Sequence, residues 1–175
     1  MKGLLTPTWT INTPYDLKAA DLLAHGIQGI IVDLDNTLLA WNVLDHTDEL
    51  SQWILELRNS GVQAFLLSNN TTERVRRVAE PLDVPFQANA LKPRRNKFRM
   101  AIDYMQLPKE EIVVIGDQIM TDVIGANRKG LRSILVKPIV KSDIIWSFVN
   151  RRLERLIFNW LGIDPTADWG TTLDG

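Results

Sequence analysis

The sequence predicts an α/β protein, a three-layer α/β/α sandwich around a mostly parallel five-stranded sheet. Two observations carry this. Short runs of β-branched and aliphatic residues alternate with segments of helical periodicity from residue 13 to residue 136, the pattern of repeated βαβ units. Several of those runs also stop abruptly at polar residues, as strands do when their carboxyl ends line a ligand site.

Met1 to Asn12 has no clear periodicity, although Leu4, Leu5 and Trp9 around Pro7 read as an arm packed on something. Thr13-Pro14-Tyr15-Asp16 opens a helix, with Thr13 as N-cap and Pro14 at the first helical position. Leu17, Ala20, Leu23 and Ala24 form its expected buried stripe, and Gly26 ends it. Ile30-Ile31-Val32 is then a buried strand that runs into Asp33-Leu34-Asp35-Asn36-Thr37-Leu38.

Leu39 to Leu44 reads as a small hairpin or a flap over the site. Thr47 caps a helix in which Leu50, Trp53, Ile54 and Leu57 recur at helical spacing until Gly61. Val62 to Leu67 is the second strand, ending at Ser68-Asn69-Asn70. Thr71 and Thr72 cap a helix carrying Val75, Val78 and Ala79, which Pro81 stops. Pro85 to Ala88 is a short third strand. Lys92-Pro93 precedes a basic helix with Phe98, Ile102 and Met105 as its apolar stripe. Ile112 to Ile115 is the fourth strand, ending at Gly116-Asp117-Gln118; Asp122 opens the next helix, Gly130 closes it, and Arg132 to Val136 is the fifth strand.

The 175 residues suit one domain able to bury a core without staples. Zero cysteines exclude a disulfide framework, thiol catalysis and cysteine-ligated metal. With no secretory h-region and no apolar stretch of bilayer length, a cytoplasmic protein is expected. The net charge of −1 conceals a central cluster of Arg74, Arg76, Arg77, Lys92, Arg94, Arg95, Lys97 and Arg99. Such a cluster is a solvated face or a phosphate-binding one. Only Phe98 interleaves it as an aromatic, so no nucleic-acid partner is expected.

Asp33 and Asp35 lie one residue apart at a strand end, where extended backbone returns side chains to one face. Close like charges raise the pKa of at least one member unless a cation intervenes. Ser68 and Asn69 with Asn70, and Asp117 with Asp122, end two further strands at the same edge. Carboxylates gathered with hydroxyl, amide and one lysine make a site for a hard divalent cation and a phosphate.

Asp33-Leu34-Asp35-Asn36-Thr37-Leu38, Ser68, Lys92 and Gly116-Asp117-Gln118 with Asp122 resemble, in order and spacing, the four motifs of the haloacid dehalogenase (HAD) superfamily. The resemblance spans about residues 28 to 137. Within the superfamily the chain looks most like the type IIIA phosphatases of the YqeG-like group, which are similar to phosphatidylglycerophosphate phosphatases. It implies a Rossmann-like, HAD-like fold and a Mg²⁺-dependent phosphomonoester hydrolase. Asp33 would be the nucleophile, forming an aspartyl-phosphate, and Asp35 the general acid and then base. Asp33, Asp117 and the Asp35 carbonyl would hold Mg²⁺ with Asp122 close by, while Ser68, Asn69 and Lys92 would bind the phosphoryl group. An aspartate at the position of Asp35 favours a phosphatase over a dehalogenase or mutase.

Superfamily cap domains are inserted after the first motif or between the second and third, and neither gap here has room for one. An open site suits a bulky or lipid-linked phosphomonoester, phosphatidylglycerophosphate being what the resemblance suggests. The alternatives are a soluble sugar phosphate, nucleotide or phosphoprotein substrate, or a catalytically silent binding module. Residues 142 to 161 read as a basic amphipathic helix, with Arg151, Arg152 and Arg155 punctuating an apolar stripe. That composition fits peripheral contact with the inner face of the membrane, or a helix packed on the sheet or in a dimer.

Overall fold

In the computed structural model, which describes residues 2–140 and 156–174, six parallel strands form one sheet in the order β1-β6-β5-β2-β3-β4. The strands are β1 (Trp9–Ile11), β2 (Gly29–Val32), β3 (Gln63–Leu67), β4 (Phe86–Gln87), β5 (Ile112–Gly116) and β6 (Arg132–Val136). The helices are α1 (Lys2–Leu5), α2 (Ala19–Ala24), α3 (Asp48–Asn59), α4 (Thr72–Ala79), α5 (Arg95–Met105) and α6 (Ile124–Lys129).

The sheet has one strand more than the five expected. The extra one comes from the N-terminal arm, where Trp9, Thr10 and Ile11 pair with Ile134, Leu135 and Val136 at the edge. Three residues are too few to display a period, so the arm's partner was invisible in the sequence.

Period-two alternation along the central strands divides the core between two faces. Ile30, Val32, Leu66, Val113 and Ile115 point to one side, against Leu22 of α2, Leu50, Trp53 and Leu57 of α3, and Val75 and Val78 of α4. Ile31, Phe65, Leu67 and Val114 point to the other, against Phe98, Ala101 and Met105 of α5 and Ala126 of α6. These are the two outer layers of the sandwich. Gly125 on α6 permits the α5 contact, because a Cβ there would lie 2.3 Å from the Phe98 ring.

α2 differs from its expected phase. Thr13 caps a 3₁₀ turn over Pro14–Asp16, and the chain is then extended at Leu17 and Lys18 before α2 begins. This interruption shifts the buried set from Leu17, Ala20, Leu23 and Ala24 to Leu17, Ala19 and Leu22, leaving Leu23 exposed. Trp53 of α3 ties the same corner down by donating its indole N–H to the Leu17 carbonyl at 2.9 Å.

Residues 142–155 of the expected C-terminal helix lie outside the described residues. Residues 156–161 are helical, and Ile157 packs with Ile119, Val123 and Leu135. No helix among the described residues is long and apolar enough to cross a membrane.

Candidate active site

Because every strand is parallel, the connections that leave β2, β3, β4 and β5 all emerge at one edge of the sheet. Eight residues from these connections line a cleft of about 340 Å³: Asp33, Asp35, Ser68, Asn69, Asn70, Lys92, Gln118 and Thr121. The sequence placed six of them at this edge, all but Gln118 and Thr121.

The β2 connection turns tightly. The Leu34 carbonyl accepts from Leu38 N at 2.9 Å and Leu39 N at 3.1 Å, and Asn36 takes a left-handed φ of 63°, which asparagine tolerates better than most residues. Leu34 is buried between the two aspartates, and Asp33 N is held by the Ile115 carbonyl at 2.9 Å. Asp35 has both oxygens engaged: Asn70 Nδ2 donates to Oδ2 at 2.9 Å and Arg74 NH2 to Oδ1 at 3.2 Å.

Lys92 is the electrostatic centre. Its Nζ lies 2.7 Å from Asp33 Oδ1 and 2.6 Å from Asp122 Oδ1, and its side chain is only 2% exposed. Burial opposes its charge, but Asp122 and then Asp33 outweigh burial and hold the ammonium protonated beyond its ordinary range. Asp33 responds in the opposite way. Burial, reinforced by the Asp122 carboxylate, pushes it up to about 7 although Lys92 pulls it down.

Asp122 lies on a π-helical turn over Ile119–Val123, where Gln118 N and Thr121 Oγ1 donate to its Oδ2 at 3.3 and 3.1 Å. Asp117 is buried, and Thr37 donates to its Oδ1 at 3.2 Å. Asp33, Asp117 and Asp122 each offer a carboxylate oxygen within 4.8 Å of the others. Three hard oxygen donors of this kind fit a small divalent cation.

Ser68 is buried, its Oγ accepting from Asn70 N at 3.1 Å, so its proton remains for an anion in the cleft. Asn69 lines the cleft while its Oδ1 accepts from Lys92 N at 2.7 Å, which places the lysine backbone. All six charged or hydroxyl residues singled out from the sequence therefore meet at this edge, with Asn69 beside them. Thr37, Gln118 and Thr121 were not assigned; Thr37 could have been found from its place two residues after Asp35. Arg74 was read only as part of the basic cluster.

That cluster does not form one face. Lys92 is inside the cleft, Arg74 is on Asp35, Arg77 on Asp45, Arg76 on Glu80 and Arg99 on Asp103. The stretch after Leu39 is a turn-containing loop rather than a hairpin. Trp41, Val43 and Leu44 are exposed on it, and Leu91 and Ile139 are exposed on the connections after β4 and β6.

Comparison with known proteins places these features in context. A HAD-hydrolase-like family model matches residues 90–141. The probable phosphatase YqeG of Bacillus subtilis (strain 168) is 38% identical over 169 residues, covering 97% of this chain and 98% of that protein. The chloroplastic phosphatidylglycerophosphate phosphatase 1 of Chlamydomonas reinhardtii is 25% identical over 168 residues, which cover 87% of this chain and 62% of the algal protein. Among solved structures, an uncharacterized protein from Listeria monocytogenes serotype 4b superposes with a TM-score of 0.53 at 19% identity, covering 76% of this chain and 99% of that one. The cobalt-bound deoxy-D-mannose-octulosonate 8-phosphate phosphatase YrbI of Haemophilus influenzae superposes at 0.51 with 16% identity, covering 79% and 91%. At these identities the structural likeness is one of fold.

Proposed function

Since the chain belongs to the YqeG-like phosphatases of the HAD superfamily, we propose that it hydrolyses a phosphomonoester through an aspartyl-phosphate on Asp33, with a lipid-linked substrate. The observation that carries the chemistry is the placement of Lys92 between Asp33 and Asp122 in a cleft that Asp35 and Ser68 also line.

Asp33, Asp117 and Asp122, with the Asp35 carbonyl, are the residues that would hold Mg²⁺, whose charge would offset that of nucleophile and phosphate together. Lys92 and Ser68 bind phosphoryl oxygens, and Asn69 keeps Lys92 in place. An Asp33 carboxylate oxygen attacks phosphorus as the bond to the leaving alcohol breaks, and Asp35 gives that alcohol its proton. Asp35 then takes a proton from water as the water attacks the phosphorus of the aspartyl-phosphate, and the Asp33 oxygen leaves as carboxylate. Positioning and charge neutralisation supply most of the catalysis in such transfers.

Three features support a lipid-linked substrate. Between β2 and β3 stand only the loop and α3, and between β3 and β4 only α4, so among the described residues no inserted domain closes over the cleft. Trp41, Val43, Leu44, Leu91 and Ile139 are exposed apolar residues on connections at the same sheet edge as the cleft, where a lipid surface would meet them. The algal relative is a phosphatidylglycerophosphate phosphatase by name.

The test is phosphate release from vesicles containing phosphatidylglycerophosphate and from soluble sugar phosphates, nucleotides and a phosphopeptide, with magnesium or with chelator. Turnover is expected on the vesicles, with loss in chelator and in Asp33→Asn. Faster turnover of a soluble ester would overturn the lipid reading, and full activity of Asp33→Asn would overturn the nucleophile.

A further inference from the structure

Asp35 is held by α4, and α4 also holds the loop that follows Asp35. Arg74, one turn into α4, donates through NH2 to Asp35 Oδ1 at 3.2 Å and through NH1 to the Leu44 carbonyl at 3.0 Å. Its side chain is 9% exposed, and its Nε is buried without a hydrogen-bond partner among the described residues. One turn further on, Arg77 grips Asp45 with Nε and NH2 at 2.5 and 3.0 Å. Two successive loop residues, Leu44 and Asp45, are therefore fastened to one helix, by the same guanidinium that fixes Asp35 in the first case.

Burying an arginine is costly unless its donors are met, yet this one leaves Nε unsatisfied in order to span two acceptors on different segments. A long side chain whose only task was to hold the loop could do so from the surface, as Arg77 does. A carboxylate oxygen has two lone pairs. The single bonds from Arg74 and Asn70 thus orient Asp35 and leave each oxygen able to face a substrate.

We propose that Arg74 is a positioning residue that sets the orientation of Asp35 and couples it to the seating of the loop 40–46 on α4. When the loop is seated, Arg74 is stretched between the Leu44 carbonyl and Asp35 and the carboxylate is fixed. When the loop lifts, Arg74 loses one anchor and Asp35 loses its fixed orientation. With no inserted domain over the cleft among the described residues, this gives the loop control of the proton-transfer group. The inference rests on the reading of Asp35 as the acid and base of phosphate-ester hydrolysis.

The experiment is a double-mutant cycle on one phosphomonoester, with kcat and KM measured for wild type, Arg74→Met, Asp35→Asn, the double variant and Arg74→Lys. Well-placed general acids and bases contribute about 100-fold or more, so misorienting one in Arg74→Met is expected to lower kcat roughly 10- to 100-fold. KM should stay within about threefold, because ground-state binding is not the property lost. In the Asp35→Asn background the same substitution should have little further effect on kcat. Arg74→Lys should recover part of the loss, since an ammonium can serve one acceptor but not hold both in a fork.

An equal fold-loss in both backgrounds would reduce Arg74 to a structural residue and overturn the proposal, as would an unchanged kcat. Chymotrypsin cleavage at Trp41 and Leu44 in the folded protein gives a readout independent of turnover and should accelerate in Arg74→Met. Unchanged cleavage beside active wild type overturns the coupling to the loop alone. If wild type turns over no phosphomonoester, the functional reading fails, and the positioning role of Arg74 fails with it.

Discussion

A Cβ on Gly116 would stand 2.3 Å from the Cγ of Asp122, so the carboxylate that grips Lys92 reaches the sheet edge only because residue 116 carries no side chain. The last residue of β5 and the π-helical turn after it are packed as one unit. Gly116→Ala is expected to push that turn outward, at a cost of about 1–3 kcal/mol typical of overpacking. Urea denaturation should show the loss, and phosphate release should fall with it as Asp122 leaves Lys92. A variant with unchanged midpoint and turnover would mean that the turn yields freely.

Lys92→Met should be more severe. It leaves the half-buried Asp33 and the buried Asp122 without the ammonium that both contact. Breaking a buried ion pair from one side costs about 3–5 kcal/mol. Because the remaining cluster is more negative, magnesium chloride should restore more stability to the variant than it adds to wild type. Equal gains in the two proteins, read from denaturation with and without chelator, would contradict this.

The raised Asp33 pKa sets a pH window for the protein held in chelator. An ordinary aspartate titrates near 3.8, whereas burial and Asp122 bring this one up to about 7. The folded state therefore binds the proton more tightly than the unfolded chain does. Its stabilising contribution is full below the ordinary value and is lost as pH rises to about 7. The difference in Tm between wild type and Asp33→Asn should move against wild type across that interval; a difference that is flat with pH would exclude the shift.

Trp41 and Val43 are exposed on the connection after β2, at the sheet edge that carries the cleft, and neither takes part in the proposed chemistry. Removing apolar surface worth about 1.5 kcal/mol or more per side chain with Trp41→Ser/Val43→Ser should raise KM for a vesicle-borne substrate by about tenfold or more. KM for a soluble phosphate ester should stay unchanged. Parallel changes on both substrates would argue against contact with a lipid surface.

The centre of this molecule was legible because its signals are local. Aliphatic runs that stop at Asp33, Ser68 and Asp117 are strand ends wherever they occur in an α/β chain, and parallel pairing brings those ends to one edge without further information. Helix α3 was equally plain, with Thr47 as cap and four apolar residues at helical spacing. What stayed hidden depends on distant partners. β1 is a strand only because Ser133 to Val136 is there to receive it, and the phase of α2 depends on a break at Leu17 and Lys18 that no periodicity announces. Arg74 was not singled out for the same reason: a basic residue among basic residues reads as part of a solvated or phosphate-binding face until Asp35 and Leu44 are seen around it.

The sheet order bears on how the chain is made. Among the described residues β1 lies at the edge with β6 as its one neighbour, so Trp9 meets Ile134, 125 positions later (134 − 9). The inner strands β2, β3 and β5 can pair before β6 exists, because β2 takes β3 on one side and β5 on the other, and only the outer edge of β5 waits for β6. β1 must therefore wait for β6. Until β6 is complete, Trp9 and Ile11 have no ladder to join, and such late, long-range closure is slow and leaves apolar surface open to misassembly. Refolding that is fast in the centre and slow at Trp9 is the kinetic signature this topology carries.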